Sequence, residues 1–142
     1  MNNPLKVLII DDETSIRQSL KSFFEDYEFV VTTASSAEKA EDILEKEEFD
    51  AAIVDLRLPG MNGDAFILKV HHKYPKMVFL IYTGSVNFHL TEELNAIGIF
   101  KELIFLKPLA DLTVLINKVT EANQNDIIKE LNLQEKLTNE EH

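Results

Sequence analysis

"DAAIVDLRLPGMNGD", residues 50–64, holds a strand, a loop and the first turn of a helix. Apart from its two aspartates, the segment 50–56 is apolar and does not alternate. A strand with one wet face alternates apolar and polar residues, so this run fits a strand covered on both faces, as in a parallel sheet. Residues 57–64 carry one proline and two glycines and read as a loop. A helix is expected from Asp64 to Lys73. Tyr74-Pro75 ends it, because a residue before proline is pushed out of the helical region.

The same unit recurs on either side. Upstream, Val7–Ile10 reads as a first strand, and Ser15 to Asp26 as a helix with Ile16, Leu20, Phe23 and Phe24 on one face. Phe29–Thr33 is a second, short strand. Ser35 or Ser36 caps the next helix, which buries Ala37, Ala40, Ile43 and Leu44. Downstream, "MVFLIYT" (77–83) is a fourth strand, and a helix around Phe88–Ile97 stops near Gly98. "LIFLK" (103–107) is a fifth strand, closed by Pro108, and a last helix buries Leu112, Leu115, Ile116 and Val119. Five strands alternating with five helices predict an α/β domain. The expected form is flavodoxin-like and doubly wound, with a five-stranded parallel sheet in the order 2-1-3-4-5. This domain is expected over residues 1–122. "NQND" (123–126) is a polar break before "IIKELNLQEKL", which is again amphipathic through Ile127, Ile128, Leu131 and Leu137. Residues 123–142 are read as a C-terminal helical extension or linker, either continuing the last helix or starting a separate one.

Composition narrows the function. No apolar run approaches the roughly 18 residues of a membrane span, and "MNNPLK" lacks signal-peptide architecture. Cysteine is absent, so there is neither a disulfide framework nor thiol chemistry, and a reducing cytoplasm is the simplest location. Fourteen basic against 25 acidic residues give a net charge of −11. That charge repels nucleic acid and anionic lipid and favours a metal cation or a basic partner surface. Neither GxGxxG nor GxxxxGK[ST] occurs, which disfavours a dinucleotide or NTP enzyme.

The acids fall where such a sheet binds ligands. In doubly wound folds the site lies beyond the carboxyl ends of the strands, at the switch point between the first and third. The first strand runs into Asp11-Asp12 and the third into Asp55. Like charges packed together raise one another's pKa and cost stability unless a cation joins them. Oxygen ligands from a few carboxylates suit Mg²⁺. Thr83 ends the fourth strand and Lys107 the fifth. A hydroxyl and an ammonium beside a metal-bound carboxylate make a phosphoryl site with Asp55 as nucleophile. Each residue also has a plainer reading. Asp-Asp before a helix is often an N-cap, Asp55 a turn residue, Thr83 structural and Lys107 solvated. The four together, at the ends of different strands, are harder to reach by accident.

With "IIDDE", "IVDLRLPGMNG", "YTG" and "LKP" in this order, the sequence resembles the receiver domain of two-component response regulators over about residues 4–121. The resemblance implies that Asp55 accepts phosphate from a sensor histidine kinase or phosphotransfer protein. It implies that Asp11, Asp12 and Asp55, with the backbone carbonyl of Arg57, bind Mg²⁺, and that Thr83 and Lys107 contact the phosphoryl group. It also implies a cis Lys107–Pro108 bond and self-catalysed chemistry in place of turnover. The chain is either a stand-alone regulator or a receiver from a longer protein, with an output domain or a homodimer as the further partner. The net charge of −11 and the lack of a reading helix argue against nucleic acid bound by this chain. The sequence departs from the family at Ile104, where an inward-swinging Tyr or Phe is usual, and the segment between Gly98 and Lys107 is about two residues longer. Arg57 and Ser85 stand where the family tunes dephosphorylation. A Mg²⁺-dependent aspartyl phosphatase also uses an Asp after a strand, but it needs a second Asp two residues on, where Arg57 stands. An interaction module that kept the fold without the chemistry would not need Asp11, Asp12, Asp55, Thr83 and Lys107 intact.

Overall fold

The computed structural model describes residues 3–84 and 88–140. Ser85 and His142 lie outside them. In chain order the elements are β1 (Lys6–Ile10), α1 (Thr14–Asp26), β2 (Val30–Ala34), α2 (Ala37–Leu44), β3 (Ala51–Val54), α3 (Gly63–Val70), β4 (Val78–Thr83), α4 (Phe88–Ala96), a 3₁₀ turn (Lys101–Leu103), β5 (Ile104–Leu106) and α5 (Thr113–Glu140). The five strands form one parallel sheet in the order β2-β1-β3-β4-β5, as expected.

The unbroken apolar strands are explained by two cores, one on each face. Leu8, Ile10, Ala52, Val54, Phe79 and Ile81 point into a core with Ala37, Ala40 and Leu44 of α2, Phe66, Ile67 and Val70 of α3, and Leu94 of α4. The alternate residues Val7, Ile9, Ala51, Ile53, Leu80 and Tyr82 meet Leu20 and Phe24 of α1 and Leu115, Ile116 and Val119 of α5. Side chains in a strand alternate, so a strand between two helical layers must be apolar at every position. Phe24 is fully buried, and truncating such a ring to alanine costs about 3–5 kcal/mol.

Local signals set most boundaries. Ser36 caps α2 by accepting the Lys39 N–H at 3.2 Å. Gly98 takes φ +90° and ends the α4 segment. A 3₁₀ turn, Lys101–Leu103, stands directly before β5, which has three residues where 103–107 were expected. The polar break at residues 123–126 does not interrupt α5, which continues to Glu140. At 28 residues, α5 is about 42 Å long. Its first turns bury Leu115, Ile116 and Val119, while further along Ile128, Leu131, Leu133 and Leu137 are exposed.

Candidate functional site

Four of the sequence-predicted residues meet at the carboxyl end of the sheet. Register brings them there. Ile10 pairs with Val54, so Asp11 and Asp55 leave adjacent strands side by side. The ladder runs one step further, with Asp55 N–H donating to Ile10 O at 3.0 Å and Asp11 N–H to Ala34 O at 3.1 Å. Lys107 follows Leu106, the partner of Thr83, and its N–H donates to Thr83 O at 2.8 Å. The Lys107–Pro108 bond is cis.

Asp11, Asp55 and Thr83 are buried. The Lys107 ammonium donates to Asp11 Oδ2 at 2.7 Å and to Asp55 Oδ2 at 3.0 Å. Thr83 Oγ1 donates to Asp55 Oδ1 at 2.8 Å. The remaining acceptor capacity takes backbone donors. Glu13 N–H reaches Asp11 Oδ1 at 2.9 Å, and Arg57 N–H reaches Asp55 Oδ1 at 3.1 Å. Burial raises the Asp11 pKa above its ordinary value, opposed by the hydrogen bonds from Lys107 and Glu13. Burial alone would lower Lys107, but its hydrogen bonds to Asp11 and Asp55 outweigh that and hold it above the usual lysine value.

The helix-cap reading of Asp11-Asp12 does not hold. α1 begins at Thr14, and the residue at its N-cap is Glu13, whose side chain makes no capping hydrogen bond. Asp12 is exposed, yet carboxylate oxygens of Asp11, Asp12 and Asp55 lie within 4.8 Å of one another. With all three ionised, Lys107 leaves two negative charges uncompensated, the charge of one divalent cation. An oxygen-only donor set with one exposed member fits Mg²⁺, which keeps several of its waters. Arg57 is also exposed.

Several supporting residues escape a reading of the sequence alone. Arg17 spans the β1–α1 turn, its guanidinium donating to Asp11 O at 2.8 Å and to Thr14 Oγ1 at 3.1 Å. Glu13 Oε1 lies 3.9 Å from the Lys107 ammonium. Gly63 opens α3 directly against Asp55. A Cβ there would run into the Asp55 carbonyl and come within 2.8 Å of Val54 Cγ1. Glu38 of α2 reaches the loop after β3, accepting Met61 N–H at 3.1 Å. Of these, Gly63 was marked in the sequence as part of a glycine-bearing loop and Glu13 as the end of "IIDDE", with no role read for either.

Residues 7–120 match the sequence model of the family described as "Response regulator receiver domain". The chain belongs to this family. HoxA, the hydrogenase transcriptional regulatory protein of Cupriavidus necator, is 32% identical over 103 residues, 72% of this chain and 21% of HoxA. A cyclic di-GMP phosphodiesterase of Thermotoga maritima is 28% identical over 123 residues, 87% of this chain and 32% of that protein. The chain thus spans a fifth to a third of the length of these curated relatives. The crystal structure of a CheY-like response regulator receiver domain protein from Methanospirillum hungatei is 26% identical. It superposes with a TM-score of 0.83 over 89% of this chain and 99% of its own. Receiver domains are phosphorylated on an aspartate, bind Mg²⁺ at an acidic pocket, and work with histidine kinases or phosphotransfer proteins. Among the described residues of this receiver, no helix is long and apolar enough to cross a membrane.

Proposed function

We propose that this receiver takes a phosphoryl group onto Asp55 from a phosphohistidine of a sensor histidine kinase or phosphotransfer protein, and switches conformation as a result. The observation that carries this reading is one hydrogen-bonded network of buried Asp11, Asp55 and Thr83 with the half-buried Lys107. An Asp55 carboxylate oxygen attacks phosphorus. The phosphorus–nitrogen bond breaks, and its electron pair stays on the imidazole, which takes a proton from solvent. Lys107 turns its donors from Asp55 to the phosphoryl oxygens, and Thr83 donates to another of them. Asp11, Asp12 and Asp55, with the Arg57 carbonyl, would hold Mg²⁺. When bound there, the ion neutralises charge on the transferring group.

In this reading the chain catalyses only its own phosphorylation and dephosphorylation. Residues 1–122 are the receiver, and 123–142 a helical extension leading to an output domain or a second copy. The protein works in the cytoplasm and binds no nucleic acid through this chain.

The test is to incubate the protein with a small acyl phosphate, in Mg²⁺ or in EDTA, and weigh it intact. A single phosphate adduct is expected in Mg²⁺, little in EDTA, and none in Asp55→Asn. An adduct that forms equally well in EDTA, or that persists in Asp55→Asn, overturns the reading.

A further inference from the structure

We infer that Glu38 is a positioning residue for the metal-binding loop, tying α2 to the wall of the site that begins at Asp55. This inference rests on the Mg²⁺ site proposed above. The loop from Arg57 to Asn62 carries the backbone next to Asp55. Its interior hydrogen bonds are local, with Gly63 N–H on Leu56 O at 3.0 Å and Leu58 N–H on Asn62 Oδ1 at 3.4 Å, while the Leu58 side chain anchors the loop's near end in the core. Those bonds shape the loop but do not tie its tip to the rest of the domain.

Glu38 supplies such a tie from a different element. Its Oε1 accepts the Met61 N–H across 23 residues of sequence. The approach depends on Gly60, which follows Pro59 and takes φ +73°, the glycine position of a type II turn. A Cβ at Gly60 would sit 3.0 Å from that same Glu38 oxygen. The carboxylate therefore lies flush against the turn because residue 60 has no side chain. Met61 next to it is partly buried against the core between α2 and α3, so the tie and the packing fix the same point. Glu38 is itself exposed, so it serves the loop without filling the core.

The consequence falls on metal affinity. A loop free to shift samples arrangements in which the Arg57 carbonyl and the Asp55 carboxylate are not in place together, and only the competent fraction binds. Loss of one charge-assisted hydrogen bond at an exposed position should weaken Mg²⁺ binding about fivefold. Glutamine keeps a carbonyl oxygen at the same reach, whereas alanine does not. Both remove the negative charge, so the pair separates positioning from simple attraction of the cation.

The experiment is calorimetric titration of MgCl₂ into the unphosphorylated full chain for wild type, Glu38→Ala and Glu38→Gln at one ionic strength, with melting temperatures alongside. Glu38→Ala is expected to bind about fivefold more weakly while melting close to wild type, and Glu38→Gln to bind nearly as wild type does. Equal affinities in all three, or equal weakening in both variants, overturn the positioning role and leave the metal site standing. No binding by wild type removes the metal site and this inference together.

Discussion

The carboxyl end of the sheet and the distal half of α5 both mix acids with apolar residues, and they arrange them in opposite ways. At the sheet, Asp11 and Asp55 are 2% and 5% exposed while the apolar strands lie behind them. On α5, Glu135 is exposed, and so are Ile128, Leu131, Leu133 and Leu137, each at more than half of its free surface. A buried carboxylate without partners is expensive, so the first arrangement exists only because several elements deliver an ammonium, a hydroxyl and two backbone donors to one place. An exposed leucine costs little, so the second arrangement needs nothing from the rest of the fold. The first region should be intolerant of single changes and the second indifferent to them.

Lys107→Ala tests this contrast with the largest expected effect. It leaves two buried carboxylates without their shared cation. Breaking a buried pair costs about 3–5 kcal/mol, so the variant should melt well below wild type in EDTA. Mg²⁺ should then raise its melting temperature by more than it raises that of wild type, because the ion stabilises only the folded state. The pH dependence follows from the raised Lys107 pKa. A group raised on folding gives stability that is complete below its unfolded value and is lost as pH climbs through the folded one. The advantage of wild type over Lys107→Ala should therefore hold up to pH 10.5, the ordinary lysine value, and shrink above it. Asp11 is also raised, chiefly by burial, so the cost of burying it is least below pH 3.8, where it is protonated folded and unfolded, and grows as pH rises through its folded value. Melting curves for both proteins across pH in EDTA would check this, and identical curves would erase the distinction between the two regions.

A smaller effect is expected at Thr83. Its hydroxyl is buried and donates to Asp55 Oδ1 at 2.8 Å, so alanine should lower stability by about 1–2 kcal/mol. The more telling comparison is with Ile104→Ala. Ile104 is a partly buried neighbour of the α2–α4 core, and Phe105 packs on the opposite face. No aromatic stands at residue 104 to swing inward, so under the proposed function the response to phosphorylation is expected to start from a Thr83–phosphoryl contact, present in one state and not the other. Amide NMR shifts with a beryllofluoride phosphate mimic should spread toward α4 in Ile104→Ala and be confined to the site in Thr83→Ala. The opposite ranking would assign the switch to β5.

What was legible in the sequence follows the same division. Asp11, Asp55, Thr83 and Lys107 could be found because each follows or ends an apolar run, and parallel topology sends every strand's carboxyl end to one side. Glu38 could not be found, because its partner Met61 lies on another element and nothing in α2's pattern marks an inward reach. Arg17 gave no signal either, since its donation to a backbone carbonyl depends on how the β1–α1 turn folds. The break at residues 123–126 left two readings open, a continued helix or a separate one, and α5 runs through it. A polar run reads as a boundary, yet a helix needs only tolerable residues to continue, and Asn, Gln and Asp inside one carry modest penalties.

The smallest expected effect lies in that continuation. An amide in the first turns of α5 can exchange only when Leu115, Ile116 and Val119 leave the core, so its protection should approach that of global unfolding. Beyond Asn125 the exposed Ile128, Leu131, Leu133 and Leu137 provide no such lock. Helical hydrogen bonds held by local propensity alone open readily, because short helices in water are marginal. In dilute protein, amides of residues 128–137 should therefore exchange orders of magnitude faster than those of residues 116–120, and Leu131→Ser should leave the melting temperature within about 1 °C, as a surface change does. Hydrogen exchange read residue by residue separates the alternatives. Fast exchange keeps the two regions distinct. Strong protection in 128–137 that grows with protein concentration would mean that a second copy covers the leucines and that the distal helix is held by packing after all.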